Sequence, residues 1–140
     1  MFTRNELEDA RRRIHTVFPG TPQYRWPLLA ERTGAEVWVK HENHTPIGAF
    51  KVRGGLIHLQ RVADENLAPN GLISATRGNH GQSLAYAGQR FNIPVTILVP
   101  RDNSAEKNAA MKALGARLIE HGSDFDAARV KARARRPLRH

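Results

Sequence analysis

Apolar residues recur at helical spacing near the start of the chain, with Leu7, Ala10, Ile14 and Val17 three or four apart. Thr3-Arg4-Asn5-Glu6 has the form of a capping box, Thr3 as N-cap and Glu6 three residues on. Together they predict an amphipathic helix over residues 4–18, ended by Pro19-Gly20. Thr21-Pro22 and Trp26-Pro27 predict an irregular connection. The period then falls to two in Glu36-Val37-Trp38-Val39-Lys40, which reads as a strand. A further helix is expected from about Phe50 to Ala63, and a turn at Pro69-Asn70-Gly71.

From residue 71 onward, short apolar runs alternate with helical segments. Gly71 to Ala75, Pro94 to Val99 and Ala116 to Glu120 read as buried strands. Between them lie a helix running to about Phe91, and a second capped by Ser104, continuing through Leu114 and stopped by Gly115. A last helix, capped by Asp124, follows the third strand. Strands alternating with helices predict an α/β fold: an open parallel sheet with helices on both faces, joined by right-handed crossovers.

Composition narrows the class. A chain of 140 residues, 40% hydrophobic and 25% charged, suits one domain with a modest core. No apolar run approaches membrane-spanning length, and the acids soon after Met1 do not suit a secretory leader, so no membrane association is expected. The absence of cysteine removes disulfides, zinc thiolates and thiol nucleophiles, and suits a cytoplasmic location. The net charge of +9 is uneven. Arg129, Lys131, Arg133, Arg135, Arg136 and Arg139 crowd the end, and the preceding 128 residues hold 16 basic and 13 acidic side chains, a balance of +3. The high charge is therefore a feature of the tail, and no nucleic-acid partner is expected for the domain.

Two segments could carry chemistry. In Gly48-Ala49-Phe50-Lys51-Val52-Arg53-Gly54-Gly55, Lys51 sits between an aromatic and a β-branched residue with glycines on both sides. A partly desolvated amine loses its proton more easily and can attack an aldehyde; the alternative is a surface lysine whose stem lies along apolar neighbours. Thr76-Arg77-Gly78-Asn79-His80-Gly81 falls between a strand and a helix, where open α/β sheets bind ligands. Its glycines let backbone N–H groups approach an anion, and the helix N-terminus adds positive potential; a tight turn capping a helix is the plainer reading. The spacing is neither a dinucleotide fingerprint nor a P-loop. His41, Glu42 and His44 lie close together, but on an extended segment neighbours point apart, and no metal site is expected. His15, His58 and His121 stand alone and read as surface or packing residues.

Together the two segments resemble one family. Lys40 to Gly55 is similar to the lysine motif of the fold-type II pyridoxal-phosphate enzymes in their threonine/serine dehydratase branch, commonly G-S-F-K-x-R-G-A at its end. Thr76-Arg77-Gly78-Asn79-His80-Gly81-Gln82 resembles that branch's S-x-G-N-H-x-Q loop. The likeness continues through Ile93 to Pro100 and Lys107 to Ala116, and covers about residues 20–128. It implies a tryptophan synthase β-like fold, incomplete here. Residues 1–60 would be the N-terminal part of the large domain and 61–128 the small α/β domain, with 129–140 an aberrant basic tail that looks truncated or frame-shifted.

The resemblance further implies pyridoxal 5'-phosphate as cofactor and a small amino-acid substrate, and leaves room for a homo-oligomer. Lys51 would bind the cofactor through its amine and act as the base on the substrate Cα, with Phe50 against the ring and Asn79 bonded to the phenolic oxygen. Thr76, Gly78, His80 and nearby N–H groups would hold the substrate carboxylate. Arg77 departs from the family's small or hydroxyl residue; it speaks against racemisation, and it either recognises a second anionic group or simply points to solvent. The implied activity is a threonine/serine ammonia-lyase, converting a β-hydroxy amino acid to a 2-oxo acid and ammonia, or the N-terminal fragment of one. The alternatives are a non-catalytic fragment with weak or no cofactor binding, and a dehydratase of 3-hydroxyaspartate or of the hydroxyectoine pathway.

Overall fold

The computed structural model describes residues 2–68 and 70–134, with side chains through residue 132. Pro69 of the expected turn and residues 135–140 of the basic tail lie outside the described residues. The chain divides into two compact units, residues 1–50 and 51–140. The division falls before residue 60 because a single helix runs unbroken through that point.

In the first unit, helix α1 (Arg4–His15) starts with the expected capping box: the Glu6 N–H donates to Thr3 Oγ1 at 3.2 Å, and the Thr3 N–H to Glu6 Oε2 at 2.6 Å. It ends three residues earlier than its apolar spacing predicts, in a turn where the Phe18 N–H donates to the Ile14 carbonyl. Ile14 and Phe18 are buried, whereas Leu7 is exposed. Strand β1 (Gln23–Arg25) pairs antiparallel with β2 (Trp38–Lys40), Tyr24 opposite Val39. Between them lies α2 (Pro27–Thr33), with Pro27 in its first turn and Gly34 at φ 68° closing it. The expected irregular connection is therefore a strand and a short helix. Pro27 is a start signal rather than a breaker, since the N–H of a first-turn residue has no helical acceptor to lose.

The second unit opens with α3 (Lys51–Asp64), which buries Val52, Leu56, Leu59 and Val62. Then come β3 (Leu72–Ala75), α4 (Asn79–Arg90), β4 (Val95–Val99), α5 (Ala105–Ala113), β5 (Arg117–Glu120) and α6 (Phe125–Ala134). The strands form one parallel sheet in the order β3-β4-β5, with Ile73 opposite Thr96 and Ile97 opposite Leu118. The side-chain period of two sends neighbouring residues of β4 to opposite faces. Ile97 lies under Gly81 of α4, itself against Met111 of α5, while Leu98 packs with Ala128 and Ala132 of α6. Helices thus cover both faces, as the alternation predicts. Ser104 caps α5, and the Asp124 carboxylate accepts from the Ala127 N–H at 2.9 Å to cap α6.

Candidate active site

Lys51 is the first residue of α3, and the segment before it is shaped locally. The Thr45 hydroxyl accepts from the Ala49 N–H and donates to the Ala49 carbonyl, both at 2.9 Å, closing a loop in which Gly48 takes φ 65°. Phe50 ends that loop and is 60% exposed. Lys51 is also exposed, so the partial desolvation expected of its amine is not found among the described residues.

The glycine-rich loop joins β3 to α4 at the carboxyl edge of the sheet. Thr76 extends the ladder, its N–H donating to the Leu98 carbonyl at 3.1 Å, and is 6% exposed. Its hydroxyl accepts from the Gly78 N–H at 3.3 Å, and its methyl packs under Gly81. Gly78 is the N-cap of α4 and offers no side-chain cap, so the N–H groups of Asn79, His80 and Gly81 in the first turn have no helical acceptor. The Asn79 side chain is exposed and makes no hydrogen bond among the described residues.

One crossing brings lysine and loop together. A Cβ placed on Gly55 of α3 would stand 2.8 Å from the Ser83 carbonyl oxygen of α4, so the two helix backbones touch there. Lys51 and His80 each lie one turn before that contact on their helices. Although His80 reaches solvent, desolvation of its imidazole, aided by the positive charges of Lys51 and His58, holds it below the ordinary histidine range. His58 is exposed, as expected of a surface residue, and lies two turns along α3 from Lys51.

Of the expected site residues, Lys51, Thr76, Arg77, Gly78, Asn79 and His80 all belong to the second unit, while Phe50 closes the first. Arg77 does not simply point to solvent: its guanidinium lies 3.7 Å from Asp102 in the loop after β4, with both side chains more than half exposed. Sequence reasoning missed Asp102 and Lys107 as neighbours of the loop. The Lys107 stem crosses Gly78, its Cδ 3.1 Å from where a Cβ would stand. Lys107 belongs to a segment that carries the family resemblance, and that was its one signal.

Other groups gather elsewhere. Glu42–His44 is a 3-10 turn rather than an extended segment, so the His41 and His44 rings meet edge to face at 6.1 Å, and Trp26 Nε1–H donates to His41 Nε2 at 3.3 Å. Among the described residues, no three His, Cys, Asp or Glu side chains converge as metal ligands would. A shallow depression of about 320 Å³, lined by residues including Gly88, Asn92, Pro94 and Gly115, opens at the amino ends of β4 and β5, the edge opposite the loop. No helix among the described residues is long and apolar enough to cross a membrane.

Known proteins resemble this chain. L-threonine ammonia-lyase of Thermotoga maritima is 35% identical over 128 residues, spanning 91% of this chain and 32% of that protein. L-threo-3-hydroxyaspartate ammonia-lyase of Saccharomyces cerevisiae is 35% identical over 119 residues, 85% of this chain and 36% of that protein. Among solved structures, the processed form of threonine deaminase isoform 2 from Solanum lycopersicum superposes with a TM-score of 0.74 at 28% identity, covering 95% of this chain and 40% of that one. The chain thus spans about a third of the length of the curated relatives it matches. The family model described as "Pyridoxal-phosphate dependent enzyme" matches residues 14–138, nearly the whole sequence, and the chain accordingly belongs to that family.

Proposed function

We propose that this chain is part of a pyridoxal-phosphate-dependent ammonia-lyase acting on a β-hydroxy amino acid, with Lys51 as the cofactor-binding lysine. The observation that carries the reading is the α3–α4 crossing, which puts Lys51 close enough to the loop for its charge to act on His80. The residues fit the cofactor. An amine stands at the start of α3, an unengaged Asn79 amide at the start of α4, and N–H groups without a helical acceptor follow it. When bound, pyridoxal phosphate supplies the electron sink that lets a Cα proton and a β-hydroxyl leave, the product hydrolysing to a 2-oxo acid and ammonia. Lys51 is then the base at Cα. Asn79 orients the cofactor, and Thr76, Gly78 and His80 with their N–H groups hold the substrate carboxylate. Because the Gly78 N–H already donates to Thr76, the N–H groups of residues 79–81 carry most of that load.

Residues 1–50 are read as the N-terminal part of a larger sheet domain. The pair β1-β2 is too small to be stable alone, and Tyr24, Trp26, Leu28 and Trp38 are exposed around it. That apolar surface also favours a second reading, in which these 140 residues by themselves bind cofactor weakly and turn over nothing. A homo-oligomer and a cytoplasmic location belong to the first reading.

Incubation with pyridoxal 5'-phosphate, borohydride reduction and peptide mapping separates the two. The first reading expects the label on Lys51, lost in Lys51→Ala. Label spread evenly over Lys40, Lys107 and Lys112 supports the second.

A further inference from the structure

We propose that Asn70 is a site of spontaneous covalent modification, deamidating in the folded chain to aspartate and isoaspartate through a cyclic imide formed with Gly71. The proposal is independent of the function proposed above. The Gly71 backbone nitrogen loses its proton to solvent base and attacks the Asn70 side-chain carbonyl carbon. A new C–N bond closes the ring as the bond to the side-chain nitrogen breaks, and ammonia leaves. Water then opens the imide at either carbonyl. One opening gives aspartate. The other gives isoaspartate, whose main chain runs through the side-chain carbons and whose α-carboxylate is free.

The attack needs a following residue without bulk and a backbone away from the helical ψ. Only Asn70 among the asparagines precedes a glycine. Asn5, Asn79 and Asn108 lie in α1, α4 and α5, and Asn43 lies in the 3-10 turn. Asn66 and Asn92, at φ 47° and 55°, precede the branched Leu67 and Ile93. The Asn103 side-chain amide is held by Asn108 Oδ1 at 2.6 Å. Asn70 is exposed, in the turn between α3 and β3. The Gly71 N–H donates to the Ala68 carbonyl at 2.9 Å, so the reaction passes through an opening of this turn. Opening an exposed connection costs far less than unfolding the whole chain.

The isoaspartyl product does not fit its place. Gly71 takes φ 97°, and a Cβ there would stand 2.6 Å from the Pro94 carbonyl oxygen, which also accepts the Leu72 N–H at 2.8 Å. The main chain entering β3 thus runs hard against the segment entering β4, with no slack. Isoaspartate lengthens the chain by one carbon at that point, and the bond from Leu72 to Pro94 is the first that it disturbs.

Incubation of the 140-residue chain at mildly alkaline pH, then trypsin and tandem mass spectrometry, tests this. The tryptic peptide of residues 62–77 holds both Asn66 and Asn70. Asn70 is expected to gain one mass unit at least roughly tenfold faster than Asn66, a difference of about 1.4 kcal/mol in barrier. Isoaspartate should be among the products. Asn70→Asp, which adds the charge but keeps the chain length, should melt near the unaltered protein, and the isoaspartyl fraction should melt lower. The inference is overturned if Asn70 reacts no faster than Asn66, if aspartate alone forms, or if Asn70 reacts in urea but stays intact in the folded chain. It is equally overturned if the isoaspartyl fraction melts no lower than Asn70→Asp.

Discussion

Gly55 of α3 lies against the carbonyl of Ser83 on α4, with room for no more than a hydrogen between them. Gly54, its neighbour in sequence, faces open space. The pair makes a controlled experiment. Alanine gains about 0.5–1 kcal/mol over glycine in a helix, so Gly54→Ala is expected to stabilise the chain by about that amount. At Gly55 the same gain is outweighed by overpacking against backbone, which costs about 1–3 kcal/mol. Urea titration should show midpoints moving in opposite directions. Gly55→Ala should also relieve the depression of His80, because it separates Lys51 and His58 from the loop.

Thr76 holds the loop through two unlike contacts, and two substitutions separate them. Thr76→Val keeps the methyl that packs under Gly81 but leaves the buried Gly78 N–H without an acceptor, at a cost of about 1–3 kcal/mol. Thr76→Ser keeps the acceptor and loses one methyl, about 1 kcal/mol. Thermal unfolding measures both, and valine should prove the costlier.

His80 sets a pH dependence. Its folded pKa lies below the unfolded value of about 6.5. The unfolded chain therefore takes up the proton first, and stability falls as pH drops from about 6.5 through the folded value. Above pH 6.5 the contribution is complete. His80→Gln should flatten this part of the stability curve, and an NMR titration of the His80 ring should give a midpoint below the ordinary histidine range.

Arg77 and Asp102 form an exposed pair, so Arg77→Ala and Asp102→Ala should each change stability by less than about 1 kcal/mol. On the proposed function, their effect falls on recognition. Asp102 occupies the guanidinium that could receive a second carboxylate, and Asp102→Asn should strengthen binding of 3-hydroxyaspartate relative to threonine. Arg77→Ala should weaken 3-hydroxyaspartate selectively. Equal changes for both ligands would show that Arg77 takes no part in choosing between them.

Much of the fold could be read from residues in order, because the signals there are local. Ser104 and Asp124 cap helices through atoms three residues away, the run at 95–99 is short and rich in β-branched residues between two prolines, and that at 72–75 is a short run opened by Gly71. The signals failed where one residue has two uses. Pro27 reads as a breaker or as a helix start, and the choice depends on whether β1 finds β2 thirteen residues beyond its own end. His41 and His44 seem to diverge until a 3-10 turn brings their rings face to edge.

From its letters alone, this protein had its alternating architecture and the places of its helix-opening lysine and its glycine-rich turn, since each depends on neighbours within one helical turn or one strand. Side-chain partnerships across the sheet edge were decided only by tertiary structure. Which carboxylate pairs with Arg77, which glycine Lys107 covers and how deeply His80 is desolvated depend on distances between segments some 20 to 30 residues apart. Such distances arise when close-packed helices and strands leave each loop one position.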